Sequence, residues 1–390
     1  MMDYQSEAQK LRDELIARRR DFHRHPELAF EEHRTAGIVA DELRHLGLEV
    51  QTGVGQTGVV GILEGERDGA TVLWRADMDA LPIHELNEVE YGSTVPGKMH
   101  ACGHDGHTTI ALGVAKIFAQ HRDKIAGRIK FVFQPAEEIL GGAKAMIADG
   151  VLENPKPDVS LGLHLWNSMP FGKLGVVAGP MMAGSSRVNI TIRGKGGHAA
   201  MPHTLHDPVV CAAHLIIALQ TVISRNVDPM EAAVLSFGKV NGSDAGNIIP
   251  DTVEMEGTFR TFTLPVRDVV EARIKEISQN ICMAMGCEAD VRISHGTIPV
   301  DNHTEVVERV RDAFTQIVEP SQFIEERGMV SEDVALLMQD IPGMYFFVGS
   351  ATDAMGYGHH HPRFDFDEEI LPLAVALAAS AIGAYVLDHD

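Results

Sequence analysis

Cysteine is scarce in this chain: four in 390 residues, at 102, 211, 282 and 287, too few and too scattered to staple a protein of this size. No CxxC pair occurs, so Cys102 lacks a resolving partner and a redox role for it has little support. Basic residues are also short. The 33 lysines and arginines face 55 acids, and the formal charge of −22 argues against nucleic acid or an anionic membrane as partner. The N-terminal segment MMDYQSEAQKLRDELIARRRDFHRHPEL has no apolar run of the kind a signal peptide requires, which makes the cytoplasm the expected compartment. The longest stretch without charge, 370–387, contains Pro372, Gly383 and several alanines. It reads as a buried helix of an α/β core rather than a membrane span. No repeat or low-complexity segment stands out.

What is present is a two-domain pattern, since one hydrophobic core stops growing near ~250–300 residues. Short apolar, β-branched runs (VVGILEG, ATVLWRAD, RIKFVFQPAEE) alternate with helical segments such as HTTIALGVAKIFAQH. That alternation predicts an α/β domain with a mostly parallel sheet. Between 183 and 295 the order becomes β-α-β-β-α-β, the order of a ferredoxin-like α+β unit. Its first helix is opened by Asp207 and Pro208, a favoured start. The expected organisation is therefore a main domain of 1–182 and 296–390 with a satellite domain, 183–295, inserted into it.

The informative polar residues sit where apolar strands end, at Asp77–Asp79, Glu137–Glu138 and His164. Ligands of open α/β sheets collect at those ends. Cys102 and His104 can face one ion from an extended loop, although an isolated CxH is more often a buried cysteine beside surface histidines. Glu137 and Glu138 follow the strand IKFVFQP. Adjacent side chains point apart, so one can bind metal while the other faces a reacting water. His164 interrupts an apolar run and needs a partner once buried. His359, His360 and His361 lie in a Gly-rich loop before the last helix. These clusters offer more ligands than one ion uses, which points to two ions sharing a bridge.

The motifs RRRDFHRHPELAFEE, WRADMDALPIHE, MHACGHDGHTT, FQPAEEILGGAKAMIADG, GLHLWN, GKGGHAAMPH, NIIPD, GTFRTF, SEDV and HHPRFDFDEE run in order over essentially the whole chain. In them the chain resembles the M20 metallopeptidase and amidohydrolase family, in the branch of hippurate hydrolases, N-acyl-amino-acid amidohydrolases and auxin-conjugate hydrolases. The resemblance implies a catalytic main domain that hydrolyses the amide of N-acyl-L-amino acids with two divalent ions (Zn, Mn, Ni or Co). It implies Cys102 as the bridge, His104 and Glu138 completing one coordination sphere, and His164 with His360 completing the other. His359 and His361 remain alternatives to His360. Glu137 would be the general base, and Asp79 would support the ligands without touching the ions. Asp77 is not assigned to metal; His100 and His107 drop out as ligands, and Asp105 orients a neighbour. His198 would steady the oxyanion, while Asn247 and Arg260 would hold the substrate's carboxylate; a planar guanidinium suits that task. The satellite domain would also pair subunits into a homodimer or higher homo-oligomer. Two other readings stay open: a carboxypeptidase or dipeptidase with the same machinery, and a non-catalytic binding protein. Val334 stands where SEDF is common in this branch, which leaves the acyl pocket undefined.

Overall fold

The computed structural model describes residues 2–352 and 356–387. The chain folds as two compact units: Met1–Met181 with Asp301–Arg327 and Asp333–Asp390, and Met182–Val300 with Gly328–Glu332. The second unit is therefore wider than the expected 183–295. Backbone pairing explains the difference. Ala183 N–H is shared by the carbonyls of Gly328 and Val330 (3.0 and 3.1 Å), and Ser185 N–H bonds Thr297 O (3.0 Å).

The first unit is built on an eight-stranded sheet in the order Glu49–Val54, Gly58–Glu64, Ala126–Gln134, Arg67–Asp77, Val159–Pro170, Gly343–Ala351, Leu174–Gly175, Phe323–Ile324. Its four central strands, Ala126–Gln134 through Gly343–Ala351, pair in parallel. They read as continuous apolar runs because both faces are covered. The helices His104–Gln120 and Ile370–Val386 pack on one face; Ala143, Met146 and Leu337 pack on Val60, Leu73 and Val132 at the other. The charge-free C-terminal stretch is thus a buried core helix. Register decides where the chemistry lies. Asp77 is level with Gln134, and Arg75 with Gly162, so Asp77, the turn after Gln134 and His164 all emerge at one end of the sheet.

The second unit has a four-stranded antiparallel sheet in the order Ala233–Asn241, Thr252–Thr261, Gly184–Arg193, Glu288–His295. With the helices Pro208–Asn226 and Leu264–Ala284 this is the β-α-β-β-α-β arrangement read from the sequence. Asp207 caps the first helix by accepting from Val209 and Val210 N–H (2.8 and 3.2 Å). Pro208–Asn226 is also, among the described residues, the one helix long and apolar enough to cross a membrane. Cys211, Leu215, Leu219 and Val222 on it are packed into this unit's own core.

Candidate metal centre and active site

Cys102 closes a loop and His104 opens a helix, with Gly103 between them at φ +92, a conformation only glycine adopts without cost. The loop carrying Glu137 and Glu138 is made by a second sharp turn. Ala136 sits at φ +52, held by its N–H to Glu32 Oε1 (2.9 Å). Gly142 allows the following helix to close on Pro135; any Cβ there would lie 1.5 Å from the Pro135 carbonyl oxygen. Asp79 then fixes the pair: Oδ1 accepts from Glu137 N–H (3.0 Å) and Oδ2 from Glu138 N–H (3.1 Å). His360 arrives at φ +63 on a backbone N–H bond to Ala101 O (2.7 Å), and a non-glycine residue held there marks a constrained site.

Hydrogen bonds set the state of each imidazole. His104 Nδ1 donates to Asp79 O (2.8 Å), leaving Nε2 without a hydrogen-bond partner among the described residues. His164 Nδ1 donates to Leu165 O (2.6 Å), leaving Nε2 facing Cys102 Sγ at 3.6 Å. His107 differs, because its Nε2 accepts from Leu165 N–H (2.9 Å) and its Nδ1 meets Asp77 Oδ1 (2.6 Å). His359 Nε2 accepts from Asn167 N–H (3.2 Å), which puts its proton on Nδ1, 3.9 Å from Cys102 Sγ. His361 Nδ1 accepts from Arg363 N–H (3.0 Å).

Electrostatics separate these rings further. Burial, reinforced by neighbouring histidines, holds His164 well below its ordinary pKa, and burial does the same to His359 (about 3) and His100 (about 4). His104 goes the other way. Burial opposes its charge, but Asp77, Asp79 and Glu138 raise it to about 10. An imidazole drawn toward protonation by three carboxylates marks a place that favours a cation. Asp77 pays for burial yet is kept well below the usual carboxylate range by Arg75, His104 and His107.

The donors fit metal ions. Zinc–ligand bonds of about 2.3 Å to sulfur and about 2.0–2.1 Å to nitrogen or oxygen put donors about 3.6 Å (S to N) and about 3.4 Å (N to O) apart around a tetrahedron. Cys102 Sγ to His164 Nε2 is 3.6 Å, and His360 Nε2 to Glu138 Oε2 is 3.3 Å. Glu138 Oε1, buried, and His104 Nε2 lack hydrogen-bond partners among the described residues and lie 3.9 Å apart. Donor atoms within 4.8 Å of one another form the sets Cys102–His104–His164 and Cys102–Glu138–His360. The first set brings His104 to His164 and the second Glu138 to His360, while a third, His104–Glu137–Glu138, also keeps His104 beside Glu138 as expected. Cys102 belongs to the first two.

Other residues here went unremarked in the sequence. Arg19, fully buried, donates to Asp105 Oδ2 (2.8 Å), Asp365 Oδ1 (2.7 Å) and Glu368 Oε1 (3.3 Å). Asp105 also meets His23 Nδ1 at 2.8 Å. Asp333 accepts from Gln134 Nε2 (2.6 Å) and Ala143 N–H (3.0 Å), bracing the turn that carries Glu137. Arg19 and His23 share one helix face at i, i+4 spacing, a signal available in RRRDFHRHPEL.

In the second unit, the pairing of Gly197–His198 with Ile248–Ile249 sets His198 beside Asn247, whose carbonyl takes Ala199 N–H (3.1 Å). His198 Nδ1 accepts from Ala200 N–H (3.1 Å), so the exposed ring keeps an Nε2–H to donate. Arg260, half-buried on Thr252–Thr261, donates to Thr258 Oγ1 and Phe259 O.

The family model described as Peptidase family M20/M25/M40 matches residues 73–383. N-acetyl-L-cysteine deacetylase of Bacillus subtilis is 40% identical over 92% of this chain and 85% of its own length. Thermostable carboxypeptidase 2 of Saccharolobus solfataricus is 38% identical over 97% of both chains. The crystal structure of the Bacillus subtilis YXEP protein, a dinuclear metal binding peptidase from the M20 family, superposes with a TM-score of 0.85 at 33% identity, covering 96% of this chain and 98% of that one. The chain belongs to peptidase family M20 and is a hydrolase of amide bonds.

Proposed function

We propose that the protein is an N-acyl-L-amino-acid amidohydrolase that works with two divalent metal ions. The observation that carries this reading is the pair Glu137–Glu138, presented from one turn by Asp79. Glu138 joins a Cys102 donor set, whereas Glu137 lies within 4.8 Å of the His104 and Glu138 donors and joins neither Cys102 set. Cys102 would lie between the ions, with His104 and His164 on one and Glu138 and His360 on the other. One thiolate, three imidazoles and one carboxylate suit zinc, cobalt or nickel better than manganese. Bound there, the ions supply Lewis-acid polarisation of the amide carbonyl and a water whose pKa falls toward about 7. Glu137 would take a proton from the attacking water and return it to the amine nitrogen as the C–N bond breaks. His198 offers its Nε2–H to the developing oxyanion, and Asn247 and Arg260 hold the free carboxylate.

Similarity to the deacetylase supports an acyl substrate; similarity to the carboxypeptidase favours a second reading in which a peptide is cleaved. Metal-reconstituted protein assayed on N-acetyl and N-benzoyl amino acids beside dipeptides with free amino groups separates the two. Glu137→Gln should retain metal and lose about 10²–10⁴-fold in rate. Full activity in that variant would remove Glu137 from the mechanism.

We also infer a homodimer formed through the second unit. Ala233–Asn241 is an edge strand of its sheet, and Ile217, Met230 and Val240 are exposed apolar residues of the same unit. Light scattering after size exclusion should give twice the chain mass, and Val240→Lys should shift it toward one; a monomeric wild type would refute the dimer.

A further inference from the structure

The four-stranded sheet of the second unit has one face buried against its helices, by Val188, Val253, Met255 and Phe259, and one polar face. Residues directly opposed across antiparallel strands share a face, as do residues two apart along one strand. Arg187 stands opposite Thr258, and Arg260 follows Thr258 by two. The two arginines are therefore diagonal neighbours on the polar face, a placement that sets Cβ atoms about 7–8 Å apart, within reach of side chains this long. Neither makes an ion pair among the described residues. Arg260 is held by Thr258, and Arg187 is exposed. The acids of this face lie further along it: Glu256, level with Asn189, pairs with Lys239, and of Asp290 and Glu254, both level with Thr191, Asp290 pairs with Arg292. Beyond its partial burial, Arg260 is lowered from its ordinary pKa by the charge of Arg187, so the two cations repel each other. Two unneutralised guanidiniums on one sheet face, in a chain of formal charge −22, are placed to receive anionic groups.

We propose that Arg187 and Arg260 form a dicarboxylate subsite, which makes N-acyl derivatives of the acidic amino acids, aspartate and glutamate, the preferred substrate class. Arg260 takes the main-chain carboxylate, which rests on the function proposed above, and Arg187 takes the side-chain carboxylate. Selectivity then lies in one charge, and neutral isosteres isolate it: N-acetyl-L-glutamate against N-acetyl-L-glutamine, and N-acetyl-L-aspartate against N-acetyl-L-asparagine. The wild type should show a kcat/KM ratio of about tenfold or more in favour of each acid. Arg187→Gln should bring that ratio down by about tenfold or more, and Arg187→Glu should invert it. A wild-type ratio at or below one overturns the proposal. So does a ratio unchanged in Arg187→Gln, the result expected if both arginines hold one common carboxylate. Calorimetric binding of N-acetyl-L-glutamate and N-acetyl-L-glutamine reads the same selectivity without turnover. Selective binding without hydrolysis of any N-acyl amino acid would therefore defeat the proposed activity while sustaining the subsite; unselective hydrolysis would do the reverse.

Discussion

A histidine has two ring nitrogens, and the engagement of one decides whether the other can hold an ion. His104 and His164 give their Nδ1–H to backbone carbonyls and keep an Nε2 lone pair for metal. His107 and His359 spend Nε2 on backbone N–H groups, so their remaining nitrogen carries a proton. His360→Ala should therefore lose about one ion per subunit, whereas His359→Leu should keep the full complement by elemental analysis, given that each site rests on three or four protein donors. Loss of an ion from the His359 variant would show that it is a ligand and that Asn167 N–H does not fix its tautomer. In the run HHHP the resemblance already selected His360, two residues before the proline, with His359 and His361 as alternatives. What spacing does not reveal is φ +63 at His360 and the N–H, 192 positions away, that engages His359 Nε2.

At the scale of elements, the ends of the apolar strands showed where the chemistry would gather. A parallel strand covered on both faces has no reason to carry Asp77, Glu137 or His164 except at its mouth. What pattern could not supply was the bracing, because it comes from charges distant in the chain. Arg19 reaches Asp105 across 86 residues and Asp365 across 346. One of these acids follows His104 directly, and the other lies five residues beyond His360. The guanidinium thus ties together the two segments that deliver ligands, and it also stacks 4.3 Å from the Phe366 ring centroid. Arg19→Met keeps most of the volume but leaves three carboxylates with one cation fewer, and removing one partner of such a buried cluster costs about 3–5 kcal/mol. Arg19→Lys recovers only part of this, since an ammonium lacks the planar fork. Denaturant unfolding of the metal-free proteins measures the loss. A change in Arg19→Met below about 1 kcal/mol, the ordinary worth of a surface pair, would mean that the cluster is solvated and does not brace the site.

The whole molecule divides its labour between two cores. Helix Ile370–Val386 and one face of the parallel strands belong to one hydrophobic cluster of the first unit, while helices Pro208–Asn226 and Leu264–Ala284 with the antiparallel sheet form the core of the second. The change of strand pattern near residue 183 was visible in the sequence. The return of Gly328–Glu332 to the second unit was not, because a few backbone bonds leave no compositional trace. The residues of the two donor sets, Glu137, and the supports Asp79, Glu32, Arg19, Asp105 and Asp333 all lie in the first unit. Metal should therefore stabilise that unit alone. An ion bound to the native state at a free concentration 100 times its Kd adds about 2.7 kcal/mol. Calorimetry of the metal-loaded protein and of protein stripped by a chelator should show two transitions, of which one moves down on stripping and returns when zinc is restored. Because the second unit contributes no donor to either set, its transition should keep its midpoint. If both transitions moved together, the two cores would unfold as one cooperative body; if neither moved, Cys102, His104, His164, Glu138 and His360 would not hold metal in the native state.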